Sequence, residues 1–128
     1  MTVDEWVAAY GRAWEDGDPD AAVALFTDDA VYRSHTSREP NRGRDGIHAY
    51  WTEATSDQAD VDVEFGQPIV AGRRVAVEWW ATMRVGGEEL TLPGCLVLRF
   101  DEDGLCEELR EYWFVEPGHR PAPDGWGG

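Results

Sequence analysis

The chain has 128 residues, 42% of them apolar and 12% aromatic, which is enough to bury the core of one domain, too little for two, and excludes disorder. Twenty-six acidic residues outnumber eleven basic ones, and a formal charge of -15 repels phosphate backbones and anionic bilayers, so neither nucleic acid nor membrane is an expected partner. Every basic residue is Arg, which rules out a Lys Schiff base and a P-loop lysine.

Thr2 followed by Glu5 predicts a capping box opening a first helix. Trp6, Val7, Tyr10, Ala13 and Trp14 then recur at helical spacing until Gly17 ends it. Asp18-Pro19 caps a short second helix over 19–26, with Ala22, Val23, Leu25 and Phe26 inward. Ala30 to Thr36 reads as a strand, and an irregular loop runs to Gly43. Asp45 starts a third helix with Ile47, Tyr50 and Trp51 on one face. From residue 61 the apolar period changes from 3.6 to 2. Val61, Val63 and Phe65 make one strand face, and Val75, Val77, Trp79, Ala81 and Met83 the next. Gly86-Gly87 turns a hairpin into a strand on which Leu90, Leu92, Gly94, Leu96, Leu98 and Phe100 alternate. Residues 101–104 turn again into a last strand, Leu105 to Glu116. The Pro/Gly-rich residues 117–128 read as an extended or frayed tail, leaving residues 1–116 as the single domain.

Helices followed by long antiparallel strands specify an α+β fold, a cone-shaped curved antiparallel sheet roofed by the N-terminal helices. A cone lined by Trp and Leu can hold a small apolar or aromatic molecule. No stretch approaches the ~20 apolar residues of a membrane span, and the N-terminus is acidic where a signal peptide would be basic, so a cytoplasmic location is expected. Setting Phe100 opposite Leu105 puts Cys95 and Cys106 on the order of 13 Å apart. That is too far for a disulfide, so both are expected as free thiols on the outer face.

Three segments resemble the nuclear transport factor 2-like superfamily, particularly its SnoaL-like branch. They are Trp14-Glu-Asp-Gly-Asp-Pro-Asp-Ala-Ala-Val-Ala-Leu-Phe-Thr-Asp-Asp-Ala-Val-Tyr32, Gly43-Arg-Asp-Gly-Ile47, and Leu98-Arg-Phe-Asp-Glu-Asp-Gly-Leu followed by Leu109-Arg-Glu-Tyr-Trp113. The resemblance spans about residues 4–116 and implies the same cone, but the superfamily hosts several chemistries and also proteins with none. Ketosteroid isomerases place an oxyanion-binding Tyr at the position of Tyr10, their basic Asp at Ser34 and their protonated Asp at Leu96, so both acids are missing here. Limonene epoxide hydrolases place a Tyr and an Asn at Tyr32 and Ser34, a basic and an acidic residue at Trp79 and Ala81, and their general-base carboxylate at Glu111. The resemblance therefore implies one acid of a larger set.

Alternation puts Glu111 on the inward face with Leu109 and Trp113, where loss of water raises a carboxyl's pKa towards that of a neutral-pH acid or base. The alternatives are a pairing with Arg or a bulge that turns it outward beside Arg110. Tyr10, Tyr32 and Ser34 offer hydroxyls to orient substrate or water; each alone also reads as ordinary core. Trp14, Trp51, Trp79 and Trp113, with Leu96, make the wall of a ligand pocket or simply the core. His35 falls out of phase, on the outer face or strand end, with the alternative that the loop rolls it into the pocket mouth, and His48 and His119 read as solvated. No spacing suggests a metal, a Ser-His-Asp triad or any cofactor. Trp80, on the outer face with Ala76 and Cys95, is expected near the centre of a homodimer interface. Three readings remain: a cofactor-free isomerase, cyclase or hydrolase; a non-catalytic binder of an apolar metabolite; and a dimeric interaction module.

Overall fold

Thr2 Oγ1 accepts from the Glu5 amide at 3.1 Å while the Thr2 amide donates to Glu5 Oε1 at 2.8 Å. This reciprocal cap opens α1 (Val3–Asp16) in the computed structural model of the chain, which describes residues 1–128. Gly17, at φ 60°, closes the helix in the left-handed conformation that glycine adopts most cheaply. Asp18 caps α2 (Pro19–Val23) by accepting from the Ala21 amide. α2 stops three residues short of the predicted end, and Phe26 already belongs to β1 (Phe26–Arg33). Tertiary partners claim the backbone there. The Leu25 carbonyl accepts from Trp6 Nε1 and from the Cys106 amide, and the Phe26 carbonyl accepts from the Arg44 guanidinium. Those bonds outweigh a helical pattern that reads on through Phe26.

β2 (Asn41–Arg42) leads into α3 (Gly43–Thr55), and six strands complete the chain: β3 (Gln58–Phe65), β4 (Ile69–Ala71), β5 (Arg74–Val85), β6 (Glu88–Phe100), β7 (Cys106–Trp113) and β8 (Glu116–Pro117). The unclosed sheet runs β2-β1-β7-β6-β5-β3, with β4 on β5 and β8 on β6. β3, β5, β6 and β7 pair antiparallel as expected, whereas β1 joins β7 in parallel. Bulges in the β1–β7, β3–β5 and β6–β7 pairings bend the sheet around the helices. The helical roof is aromatic at its seam: Trp6 stacks on Tyr10 at 5.1 Å and meets Phe26 and Phe100 edge-on. No helix is long and apolar enough to cross a membrane.

The β6–β7 register corrects the cysteine expectation. Phe100 pairs with Cys106 rather than Leu105, Glu107 is bulged out, and Arg99 then faces Glu108. The bulge inverts the phase at Cys106, which is fully buried in the core, while Cys95 keeps the outward phase and is partly exposed. Both remain free thiols. Beyond the bulge the register has moved by two residues in all, an even number, so Leu109, Glu111 and Trp113 keep their inward phase; Leu96 pairs with Glu111.

The tail is not frayed. β8 pairs with β6, Thr91 Oγ1 donates to the Gly118 carbonyl at 2.7 Å, and Arg120 donates its amide to the same hydroxyl. Trp80 Nε1 donates to the Arg120 carbonyl at 2.9 Å, and the Trp126 ring lies edge-on to Trp80. Composition shows the prolines and glycines of this segment but not the indole on which Trp126 lands. Thr91 is fully buried on an outer sheet face because this strap covers it. The indole assigned from sequence to a homodimer interface thus has an intramolecular cover.

Candidate active site

β1 and β7 lie side by side, so Tyr32 and Glu111 point into the same space from neighbouring strands. Tyr32 donates its hydroxyl to Glu111 Oε1 at 3.0 Å. With that proton committed, Tyr32 accepts from the Tyr10 hydroxyl of α1 at 2.8 Å, giving a chain Tyr10→Tyr32→Glu111. α3 adds Tyr50, whose ring lies 5.2 Å from that of Tyr32. Together with Trp14, Trp51, Ala54, Thr55 and Gln58 these groups line a cavity of about 40 Å³. Space of that size takes a few waters; a benzene-sized guest needs on the order of 150 Å³. A ligand larger than this cavity reaches the carboxyl from this side only if the lining moves.

Glu111 also borders a second space. On the far side an open cleft of about 390 Å³ is lined by Ser34, His35, Tyr112, Trp113 and Phe114. Glu111 keeps some exposed surface, yet protein crowds its carboxyl, and the resulting loss of water pushes its pKa up to about 7 although the Tyr32 hydrogen bond favours the anion. Burial also drives Tyr10, Tyr32 and Tyr50 up from the ordinary phenol range, and the Glu111 charge adds to the effect in all three. The phenols therefore stay protonated as donors, while the one titratable acid exchanges its proton near neutrality. No three His, Cys, Asp or Glu side chains converge to hold a metal ion.

Residues 7–109, most of the chain, match the SnoaL-like domain. The chain belongs to the SnoaL-like family. Solved structures agree on the fold. SalBIII, an epoxide hydrolase/cyclase-like enzyme with a role in pyran ring formation in the polyether salinomycin, superposes with a TM-score of 0.78 at 24% identity over 90% of this chain and 95% of its own. A hypothetical protein of Catenulispora acidiphila with a ketosteroid isomerase-like fold, in complex with trimethylamine, gives 0.77 at 24% identity over 87% and 86%. A Shewanella denitrificans protein assigned to the SnoaL-like polyketide cyclases gives 0.75 at 16% identity over 87% and 89%. The SnoaL-like chain thus shares its fold with these proteins.

Within this SnoaL-like cone the expected residues separate into three groups. Tyr10, Tyr32, Glu111, Trp14 and Trp51 meet at the inner cavity. Ser34 and Trp113 line the outer cleft, where Trp113 Nε1 donates to the Ser34 carbonyl at 3.0 Å. Trp79 and Leu96 border neither space; both are buried in the core, Trp79 edge-on to Trp14 at 5.0 Å. Their inward phase was legible, but how deep along the cone each would lie was not. His35 takes the alternative position, at the mouth of the cleft, rather than the outer face. β1 ends at Arg33, so strand alternation no longer governs His35, and its ring packs at 5.3 Å from Trp113 in the cleft with Nδ1 3.2 Å from Ser34 Oγ. His48 stays on the surface beside Asp20. Tyr50 and Gln58 are the site residues that sequence reasoning missed. The α3 face that carries Ile47 and Trp51 also carries Tyr50, and that spacing was the available signal.

Proposed function

We propose that this SnoaL-like chain is a cofactor-independent acid–base enzyme acting on a small, largely apolar molecule, with Glu111 as the proton-transferring group. The observation that carries the proposal is a single carboxyl, poised near neutral pH and hydrogen-bonded by a buried phenol chain, at the wall between a cavity and an open cleft. As a carboxylate, Glu111 takes a proton from a carbon beside a carbonyl, leaving the electron pair on the carbonyl oxygen as an enolate, and returns the proton to that or a neighbouring carbon. Alternatively it takes a proton from water as the water oxygen bonds to an epoxide carbon. The ring C–O bond breaks as the new one forms, and the opened oxygen takes the proton held by Glu111, so that epoxide and water become a diol. Double-bond isomerisation and aldol-type cyclisation of a ketone begin with the first of these steps, epoxide hydrolysis with the second. Phenols that remain protonated are suited to donating to the oxygen on which charge develops.

A second reading, a non-catalytic binder of an apolar metabolite, draws support from the residues at the other acid and base positions of relatives, Ser34, Leu96, Trp79 and Ala81, which leave Glu111 without a partner acid. Two small probes, which reach Glu111 through the open cleft or by widening the inner cavity, separate the readings: deuterium uptake by cyclohexanone in D2O, and conversion of cyclohexene oxide to the diol. The enzyme accelerates at least one, with a rate inflecting near pH 7, and Glu111→Gln abolishes the acceleration. Rates equal to those of Glu111→Gln for both probes refute the enzyme reading in favour of the binder.

A further inference from the structure

Several of the inner cavity's polar groups are satisfied by protein. The three-member chain accounts for Tyr10, Tyr32 and Glu111 Oε1, Trp14 Nε1 donates to Gln58 Oε1 at 2.9 Å, and Thr55 Oγ1 donates to the Trp51 carbonyl at 2.7 Å. The Tyr50 hydroxyl and the Gln58 amide nitrogen make no hydrogen bond to protein, but Trp51 alone among the lining residues leaves a fully buried donor without a partner. Trp51, only 3% exposed, forms part of the cavity wall, and its Nε1–H has no hydrogen-bond partner. A buried donor without an acceptor is costly, by roughly 1–3 kcal/mol.

We infer that the Trp51 indole N–H is the specificity-determining donor of this site, and that it receives an acceptor oxygen of an uncharged substrate, such as a ketone, epoxide or ether, while Glu111 faces the reacting atom. This deepens the acid–base reading above and rests on it. The aromatic wall around a carboxyl also has the ingredients of a cage for an ammonium ion. An ammonium offers only donors, however, and would leave Trp51 as unpartnered as before, so the orphan N–H selects the oxygenated ligand. Trp79 serves as an internal control, because its Nε1 is equally buried and unpartnered but borders neither the cavity nor the cleft.

The test uses protein labelled with ¹⁵N at its indoles and two probes of matched shape, cyclohexanone and methylenecyclohexane, which differ in having C=O or C=CH2. Cyclohexanone moves the Trp51 indole proton downfield, leaves that of Trp79 in place, and binds about tenfold more tightly than methylenecyclohexane. Trp51→Phe brings the two affinities within about twofold of each other. Should that variant fail to fold, 3-benzothienylalanine at position 51 preserves the shape, lacks the N–H and gives the same convergence. A Trp51 proton that stays in place, resting for instance on the Tyr10 ring it meets edge-to-face at 5.3 Å, overturns the inference, as does equal affinity for the two probes or binding of neither. If Trp51 responds while the deuterium and epoxide assays stay silent, the enzyme reading fails and the donor assignment stands.

Discussion

Replacing Glu111 by Gln retains the size of the side chain and an oxygen for the Tyr32 hydroxyl, and removes only the titration. In the wild-type fold the carboxyl sits at about 7, against an ordinary 4.5, because burial penalises the anion. Between those values the folded state holds the proton and the unfolded chain has released it, so unfolding releases a proton and stability falls as pH rises. The loss begins near pH 4.5, is complete a little above pH 7, and does not grow further. At about 1.4 kcal/mol per pH unit the full effect is about 3 kcal/mol. Residual contact with solvent in the cleft reduces this to roughly 2–3 kcal/mol. Urea unfolding of wild type and Glu111→Gln at pH 5 and pH 8 measures it, since the many exposed carboxyls titrate alike in both proteins and cancel in the difference. Because part of the loss has already occurred at pH 5, the variant gains about 2 kcal/mol on the wild type between those two pH values. Stability curves that run parallel from pH 5 to 8 would show an ordinary, solvated carboxyl and remove the physical basis for placing acid–base chemistry at Glu111.

Tyr32→Phe breaks the chain at its middle link: turnover falls by about 10- to 100-fold, and the pH inflection moves above 7, because Glu111 loses the hydrogen bond that favours its anion. An unchanged inflection would mean that Tyr32 does not act on the carboxyl. Gly94→Ala drives a methyl into the Trp79 ring that lies across it and lowers stability by about 1–3 kcal/mol or more, read by thermal unfolding. Ending the chain at Val115 removes β8 and the strap and bares Trp80 and Thr91. Sedimentation then detects self-association through this face, as proposed for a homodimer, and Trp80→Ala reverses it; a truncated chain that stays monomeric refutes that role for the face.

What the sequence determined by itself is what depends on neighbours along the chain. The Thr2–Glu5 cap, the left-handed Gly17, the Gly86-Gly87 hairpin and the alternation along β5 and β6 are local in this sense, since a helix end, a tight turn and a two-residue period are set by the residues that compose them. The inward phase of Glu111 was legible for the same reason, and it survived a two-residue register shift because an even shift preserves the face. The remaining features were decided by contacts between distant segments. α2 ends early because Trp6 and Arg44, from two other helices, take the carbonyls of Leu25 and Phe26. Cys106 turns inward because a single bulged residue reverses alternation, which composition does not encode. Trp79 and Leu96 share their phase with Glu111 but lie in the core, because depth along a cone is set by how strands stagger and helices settle on them. The strap over Trp80 and the junction of Tyr10, Tyr32, Tyr50 and Glu111 join residues far apart in the chain. Each needed the closed fold, since a hydrogen bond or a buried ring is defined by distance in space, and strand pairing brings together residues that their order along the chain keeps apart.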